Sequence, residues 1–469
     1  MLIGAVLIRA ALIWSGPEPP GAALSGRTPD RASTGRAPAD QAPAEGVLIV
    51  GASQAGLQLA TSLRQGGYAA PITLVGEEAH PPYQRPPLSK EYLTGETDLD
   101  ALAFRTPSYY AENGIDLICG ERVTELALPN LNRHSPSRLV PGMAHTTSGR
   151  ELRFDRLALT VGATPRRLAL PGADLAGICY LRDRDDATHL RARLAAATRV
   201  VVVGGGFIGL EAAAAARVQG KQVTVVEAAD RLIPRVVAPV ISEFYRQAHR
   251  RRGIEVLLSA AVTGFSGISG QVTAVQLADG RTLPADLVMI GVGVVPRTEL
   301  AEQIGLDCDG GIVVDSQART SNPLVVAAGD CTVQPNPLTG LGRVRLESVQ
   351  NAVAQATAAA RTLLGRFDET RTVPWFWSYQ GDLKLQIAGL SAGYDGFVLR
   401  GDPDTERFSV LYYRDGRLLA VDAVNSPADY MAVRKALAQD ATIRPEQAGD
   451  AGVALKNLIV GRAEAAQAA

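Results

Sequence analysis

The sequence predicts an α/β protein with two parallel-sheet domains and a separate C-terminal α+β domain. Three observations predict it. From Arg199 to Glu227 a run of four valines leads into Gly204, Gly206 and Gly209 at G-x-G-x-x-G spacing, then an alanine-rich helical stretch and a second β-branched run. A similar unit begins at Val47 and passes through Gly51 and Gly56 to the run Ile72–Val75. After Thr372 the pattern changes to alternating strands, LKLQIAGL, FSVLYY and RLLAVDAV, with a helical segment from Ala428 to Gln439.

The unit at Arg199 has the parts of a Rossmann-like dinucleotide cradle. Gly204 permits the tight turn, Gly206 lets the backbone approach a pyrophosphate, and Gly209 lets helix pack on strand. The phosphates then sit on unpaired N–H groups of the helix terminus. A glycine-rich structural turn is the alternative, but the strand, helix and terminal acid all stand at the fingerprint's spacing. That acid, Glu227, accepts from a free ribose hydroxyl and repels a phosphate in its place, so NADH is expected over NADPH.

In the earlier unit Ser53 stands at the middle glycine, which weakens the signal, and Glu77 lies where a ribose-binding acid belongs. Alone, this unit is also compatible with a plain buried βαβ. A chain with two such units most simply binds two dinucleotides, and one of them is expected to be a flavin.

Length and composition agree with this division. With 469 residues the chain calls for two or three domains. A hydrophobic fraction of 46% with 20% charged residues is that of an ordinary globular protein. The formal charge of -1 gives no global reason for a nucleic-acid or anionic-membrane partner. Cys119, Cys179, Cys308 and Cys331 are scattered without C-x-x-C or metal-ligand spacing, which predicts buried thiols in a reducing compartment, the cytoplasm. His134 and His145 have no second ligand at a useful spacing, so no metal site is expected.

Residues 1–45 stand apart. Met1 to Trp14 is apolar except for Arg9, too short to span a bilayer and without the basic start of a secretory signal; Ser15 to Glu45 is rich in Ala, Pro, Gly and Arg. A disordered extension is expected, with export or anchoring as the alternative. The expected segments are 46–162 and 291–370 for the first nucleotide domain, 163–290 for the second, and 371–469 for the C-terminal domain.

Other stretches are less specific. His80 to Lys90 is proline-rich, and on pattern alone it reads as a stiff connector with solvated charges. Leu128 to Arg150 reads as a strand connection with a longer loop. Arg153 to Val161 reads as one strand, and Gly162 to Arg166 as a turn crossing between domains. Phe244 to Arg252 puts Arg246, Arg250, Arg251 and Arg252 on a helix, a solvated basic face or a docking site for an acidic protein. Asp330, at the end of the strand Leu324 to Ala328, sits where open α/β sheets bind ligands.

Five motifs together resemble the FAD-dependent, NADH-using ferredoxin reductases of the oxygenase-coupled type, within the pyridine nucleotide-disulphide oxidoreductase superfamily. They are PPLSK at 86–90, VVGGGFIGLE at 202–211, AAGDC at 327–331, LESVQNA at 346–352 and PWFWS at 374–378. The resemblance runs from Gly46 to the C-terminus. It implies that Gly51, Ala55, Gly56, Glu77, Arg85, Lys90, Val123, Arg182, Asp330 and Val349 serve FAD, and that Gly204, Gly206, Gly209, Glu227, Arg235 and Gly293 serve NADH. Trp377, by default a core aromatic, is implied to stack where the nicotinamide arrives. Lys90 is implied to set a positive charge beside the flavin, with Glu211 as its ion-pair partner. The sequence departs from the family's usual pattern at Ser53, at Thr160-Val161-Gly162 and at Tyr379.

The implied activity is transfer of electrons from NADH through FAD to a [2Fe-2S] ferredoxin or a rubredoxin that serves a monooxygenase or dioxygenase, by a monomer or homodimer. NADH gives up two electrons together and an iron–sulfur centre accepts one, so a flavin must stand between them. The sister branches need a reactive cysteine pair, or one cysteine near Pro82 to Lys90, and this chain has none there. An NADH-binding flavoprotein with a signalling role and a reductase of a small acceptor, like monodehydroascorbate reductase, are the alternatives.

Overall fold

The computed structural model describes residues 44–132, 135–339, 342–367 and 372–461, so the expectations for 1–43 and for His134 lie outside the described residues. Val47–Val50 is apolar at every position and buried throughout, as a strand covered on both faces must be. It is the centre of a five-stranded parallel sheet in the order Val325–Ala327, Arg156–Leu159, Val47–Val50, Ile72–Val75, Ile115–Ile118. Its alternate residues feed two cores. Val47 and Ile49 pack with the helices Gln54–Gln65 and Val349–Leu363, and Leu48 and Val50 pack on the opposite face.

Arg199–Val203 repeats this plan at the centre of a second parallel sheet: Ile178–Tyr180, Leu287–Ile290, Arg199–Val203, Gln222–Val226, Ile254–Leu257. In both sheets the strand before the glycines lies between the next strand of its own βαβ unit and a strand returning from far along the chain. The connections therefore leave that central pair in opposite directions, which opens a crevice at its carboxyl end. Both glycine turns lie there.

Three local expectations are corrected. Gly162 to Arg166 is not simply a turn: Ala163–Pro165 pairs antiparallel with Val294–Pro296, so the two crossings between the sheets satisfy each other's backbone groups. Arg153 to Val161 is not one strand, because the chain changes sheet at Asp155. Glu151–Phe154 joins an antiparallel sheet and Arg156–Leu159 the parallel one, while Asp155 accepts from the Gly46 N–H at 3.1 Å. Leu128 to Arg150 holds more regular structure than a loop. Asn130–Asn132 and Ser135–Val140 form a hairpin, and Gly142–Thr146 pairs with Val123–Ala127 and Glu151–Phe154. The period-2 burial of Gly142–Thr146 spans only five residues, too few to stand out beside Pro141 and the polar Thr147-Ser148.

The C-terminal strands form an antiparallel sheet in the order Trp375–Gln380, Leu383–Gly389, Arg417–Val424, Arg407–Arg414, Gly396–Asp402. Helix Pro427–Ala438 covers one face. The other face, with Leu385, Phe408 and Val410, packs on Phe244, Tyr245 and Ala248 of helix Pro239–Arg251. This packing decides the fate of the arginine-rich segment. Arg252 binds Asp382 and Glu406 of the C-terminal sheet, Arg251 also reaches Glu406, and Arg246 pairs with Glu243 on its own helix. Two of the four arginines, Arg251 and Arg252, thus tie two layers of the protein together. Hydrogen bonds from Arg252 hold the Glu406 carboxyl down at about 2.

Candidate active site: two glycine cradles and a shared cavity

Each cradle begins with a glycine that only glycine can be. Gly51 (φ 116°) and Gly204 (φ 110°) lie in the left-handed region, where a Cβ would meet the carbonyl oxygens of Thr160 at 2.2 Å and Gly291 at 2.4 Å. The third glycines permit close helix packing. A Cβ on Gly56 would lie 2.0 Å from the Gly51 oxygen, and one on Gly209 would lie 2.2 Å from the Gly204 oxygen. Gly206 differs, because a Cβ there meets nothing closer than the Gly291 oxygen at 4.0 Å. The space above it, at the N-terminus of helix Phe207–Val218, is open to a ligand's phosphates.

Glu227 stands at the mouth of this second cradle. Its Oε2 accepts from the Gly205 N–H at 2.6 Å and its Oε1 from the Ala229 N–H at 2.8 Å, so the carboxylate is fixed by backbone donors. Arg235, exposed, brings its guanidinium to the side of Gly293.

The first cradle opens into a cavity of about 630 Å³. Gly51, Ala55, Glu77, Arg85, Lys90, Val123, Arg182, Asp330, Val349, Glu211 and Trp377 all line it, and Gly56 lies beneath. Size and lining fit a dinucleotide: a large, mostly apolar groove at a helix terminus, with several cations in its wall. No cysteine lines it. Cys179 and Cys331 are buried, their thiols pushed up by desolvation to about 11 and about 12, and burial also raises the half-buried Cys119 and Cys308.

The polar residues of the wall hold one another. Arg85 pairs with Glu78, donates to the Arg182 carbonyl at 2.7 Å, and donates from Nε to Ser53 Oγ at 3.2 Å. Ser53, the departure from glycine, thus anchors an arginine. Arg182 in turn pairs with Asp330 at 3.0 Å. Glu77 accepts from Arg297 at 2.6 Å, which holds its carboxyl below the ordinary range. Thr160, a second departure, donates its hydroxyl to the Gly51 carbonyl at 2.8 Å and so braces the turn.

At the far end three layers meet. Lys90 Nζ lies 2.6 Å from Glu211 Oε2, on the helix that starts at Gly206, and also donates to the Pro86 carbonyl at 3.0 Å. Glu211 is only 5% exposed. Ser89 donates to its Oε2 at 2.6 Å and Ser378 to its Oε1 at 2.6 Å. Trp377 borders the cavity and stacks on Trp375, ring centroids 5.3 Å apart and planes 29° apart, and Phe376 packs on Phe207 at 4.6 Å. Tyr379 lies with Lys90 and Trp377 in an adjoining groove.

Sequence reasoning missed Ser89, Ser378, Glu78 and Arg297. The two serines lie inside the quoted PPLSK and PWFWS motifs, whereas Glu78 and Arg297 carried no signal beyond being charged.

Two family models match the chain. Residues 45–356 match the family model described as pyridine nucleotide-disulphide oxidoreductase, and residues 375–459 match that described as reductase C-terminal. Rhodocoxin reductase of Rhodococcus erythropolis is 44% identical over 411 residues, 87% of this chain and 93% of that protein. Rubredoxin-NAD(+) reductase of Pseudomonas putida is 38% identical over 381 residues, 81% of this chain and 96% of that protein. Among solved structures, the covalent putidaredoxin reductase–putidaredoxin complex superposes with a TM-score of 0.83 at 38% identity, covering 91% of this chain and all of that one. Fold, glycine cradles and matched length agree, and the chain belongs to the pyridine nucleotide-disulphide oxidoreductase family.

Proposed function

We propose that this protein is an NADH-dependent ferredoxin reductase, passing electrons from NADH through FAD to a [2Fe-2S] ferredoxin or a rubredoxin that serves an oxygenase. The observation that carries this reading is the buried Lys90–Glu211 pair at the end of a dinucleotide-sized cavity with no cysteine in its wall. A family member without a thiol beside its flavin has to hand electrons directly to an external acceptor. The names of the relatives, rhodocoxin and rubredoxin reductases, support a small electron carrier as that acceptor. We assign the reaction to the cytoplasm, to a monomer or homodimer, without nucleic acid or membrane as partner.

FAD, when bound, supplies the conversion of a two-electron donor into single electrons. The chain supplies the geometry. In this reading 46–162 and 291–370 form the FAD domain, 163–290 the NAD domain and 371–469 a C-terminal domain closing over the flavin. Gly51 and the start of helix Gln54–Gln65 would hold the pyrophosphate of FAD, with Gly56 beneath, and Glu77, Arg85, Val123, Arg182, Asp330, Val349 and Ala55 would line its length. Gly204, Gly206, Gly209, Arg235 and Gly293 receive NADH, and Glu227 takes its ribose hydroxyls. Lys90 would supply the positive charge that stabilises the reduced flavin, and Glu211 orients its ammonium. Trp377 limits access to the ring and orients the nicotinamide.

The test is anaerobic. The purified protein, yellow with bound FAD, should be bleached by NADH within the mixing time of a stopped-flow instrument and should then reduce cytochrome c only when a ferredoxin or rubredoxin is added. Slow reoxidation with NADH-induced dimerisation, or equal turnover with a quinone or monodehydroascorbate alone, would overturn the assignment.

A further inference from the structure

A buried chain of hydrogen bonds starts at the flavin-side ion pair and runs away from the cavity. Ser378 donates to Glu211 Oε1 at 2.6 Å, Gln380 Nε2 donates to Ser378 Oγ at 3.3 Å, and Gln380 Oε1 lies 2.7 Å from His249 Nε2. Glu211, Ser378, Gln380 and His249 are 5%, 0%, 0% and 0% exposed. The chain passes from helix Phe207–Val218 to strand Trp375–Gln380 and on to helix Pro239–Arg251, joining two helices of the second parallel sheet through the C-terminal sheet.

The direction of every bond follows from its end. A carboxylate only accepts, so the Ser378 proton points at Glu211 and its lone pair must be fed from elsewhere. That requires the Gln380 amide to turn its NH₂ to the serine and its carbonyl to His249. The carbonyl in turn requires His249 to carry its proton on Nε2. Burial, with Arg252 nearby, lowers the His249 pKa and keeps the ring neutral, and its Nδ1 has no protein partner. With Lys90 and Ser89 on Oε2, all donors converge on one carboxylate. Such a chain polarises in one direction, each bond strengthening the next.

We propose that Ser378, Gln380 and His249 are positioning residues for the Lys90–Glu211 pair. Lys90 is long and rotatable, and Glu211 alone can swing between rotamers. Ser378 on Oε1, opposite Ser89 on Oε2, fixes the carboxylate plane, and the fixed carboxylate aims the ammonium into the cavity. The proposal rests on the reading of Lys90 as the cation beside the flavin, and the experiment separates the two.

The holoenzyme and its Ser378→Ala, Ser378→Thr, Gln380→Met and Lys90→Met variants are compared by flavin midpoint potential, by anaerobic bleaching with NADH over a range of concentrations, and by thermal unfolding. Lys90→Met should slow the limiting bleaching rate and lower the potential. Ser378→Ala should slow the limiting rate about tenfold with the NADH dissociation constant changed less than about twofold, Ser378→Thr should restore most of it, and Gln380→Met should fall between. In the Lys90→Met background Ser378→Ala should have almost no further effect, because both act through one ammonium. Nitrogen-15 NMR of the five histidines, one of them His249, should show a ring protonated on Nε2 that Gln380→Met releases. If Lys90→Met changes neither rate nor potential, the functional reading of Lys90 fails. If Lys90→Met does change them but Ser378→Ala and Gln380→Met do not, or their effects add in full to that of Lys90→Met, the positioning proposal fails. A His249 ring protonated on Nδ1 alone would equally overturn it.

Discussion

Glu211 and Ser378 lie 167 positions apart in the chain and share a buried 2.6 Å hydrogen bond. The same carboxylate binds Lys90 and Ser89, so one side chain connects the PPLSK segment, the second glycine helix and the C-terminal sheet. Breaking the pair from one side leaves a nearly buried charge without its partner. Glu211→Gln should therefore lower stability by about 3–5 kcal/mol. The double variant Lys90→Met, Glu211→Leu should recover much of that loss in thermal unfolding while NADH still reduces the flavin slowly. Recovery of both stability and rate would show the pair to be structural only.

The glycines of the second cradle should separate in their effects. Gly209→Ala forces a Cβ onto the Gly204 oxygen at 2.2 Å and should cost more than about 2 kcal/mol of stability. Gly206→Ala, with open space at its Cβ, should fold with a melting temperature near that of the parent and yet bind NADH at least about tenfold more weakly. Isothermal titration beside a melting curve reads both.

Glu227 is locked by two backbone donors, so it cannot swing aside for a phosphate. Glu227→Ser should raise kcat/KM for NADPH relative to NADH by about 10- to 100-fold, most of it through KM. An unchanged ratio in steady-state assays with both nucleotides would remove Glu227 from specificity.

Asp422 predicts a dependence of stability on pH. It is 1% exposed, Tyr412 donates to its Oδ2 at 2.6 Å, its Oδ1 has no partner, and burial raises its pKa to about 7. A raised carboxyl binds its proton more tightly in the folded than in the unfolded state. Its contribution is therefore most favourable below the unfolded value near 4 and is lost as pH rises towards about 7. Asp422→Asn keeps an acceptor for Tyr412 and carries no charge. Relative to the parent it should gain stability as pH goes from 5 to 8, on the order of 1–3 kcal/mol, in chemical denaturation at the two pH values. A difference that does not change with pH would show that Asp422 does not titrate in this range.

The two glycine cradles and their strands were legible in the sequence because a tight turn, a phosphate approach and a helix–strand contact each demand a small residue at a fixed local spacing. Val47–Val50 and Arg199–Val203 announced themselves as uninterrupted apolar runs, since a strand covered on both faces has no polar side. The antiparallel strand Gly142–Thr146 did not, because five residues that alternate buried and half-buried positions, with a glycine and a histidine among them, carry too short a pattern to stand out from a loop. The arginines of helix Pro239–Arg251 looked the same whether solvated or paired. Only the approach of the C-terminal sheet gave Arg251 and Arg252 their partners.

By itself, then, the sequence determined what is local: which residues bend, which strands are buried, which acid ends each unit. Tertiary structure alone decided which distant side chains share a charge. Ser89, Lys90, Glu211 and Ser378 come from three stretches of chain with no periodicity between them, and their union depends on the packing of apolar faces that carry no polar information. Short-range geometry is written in spacing, whereas the placing of a buried ion pair and its donors is settled by how whole layers come to rest on one another.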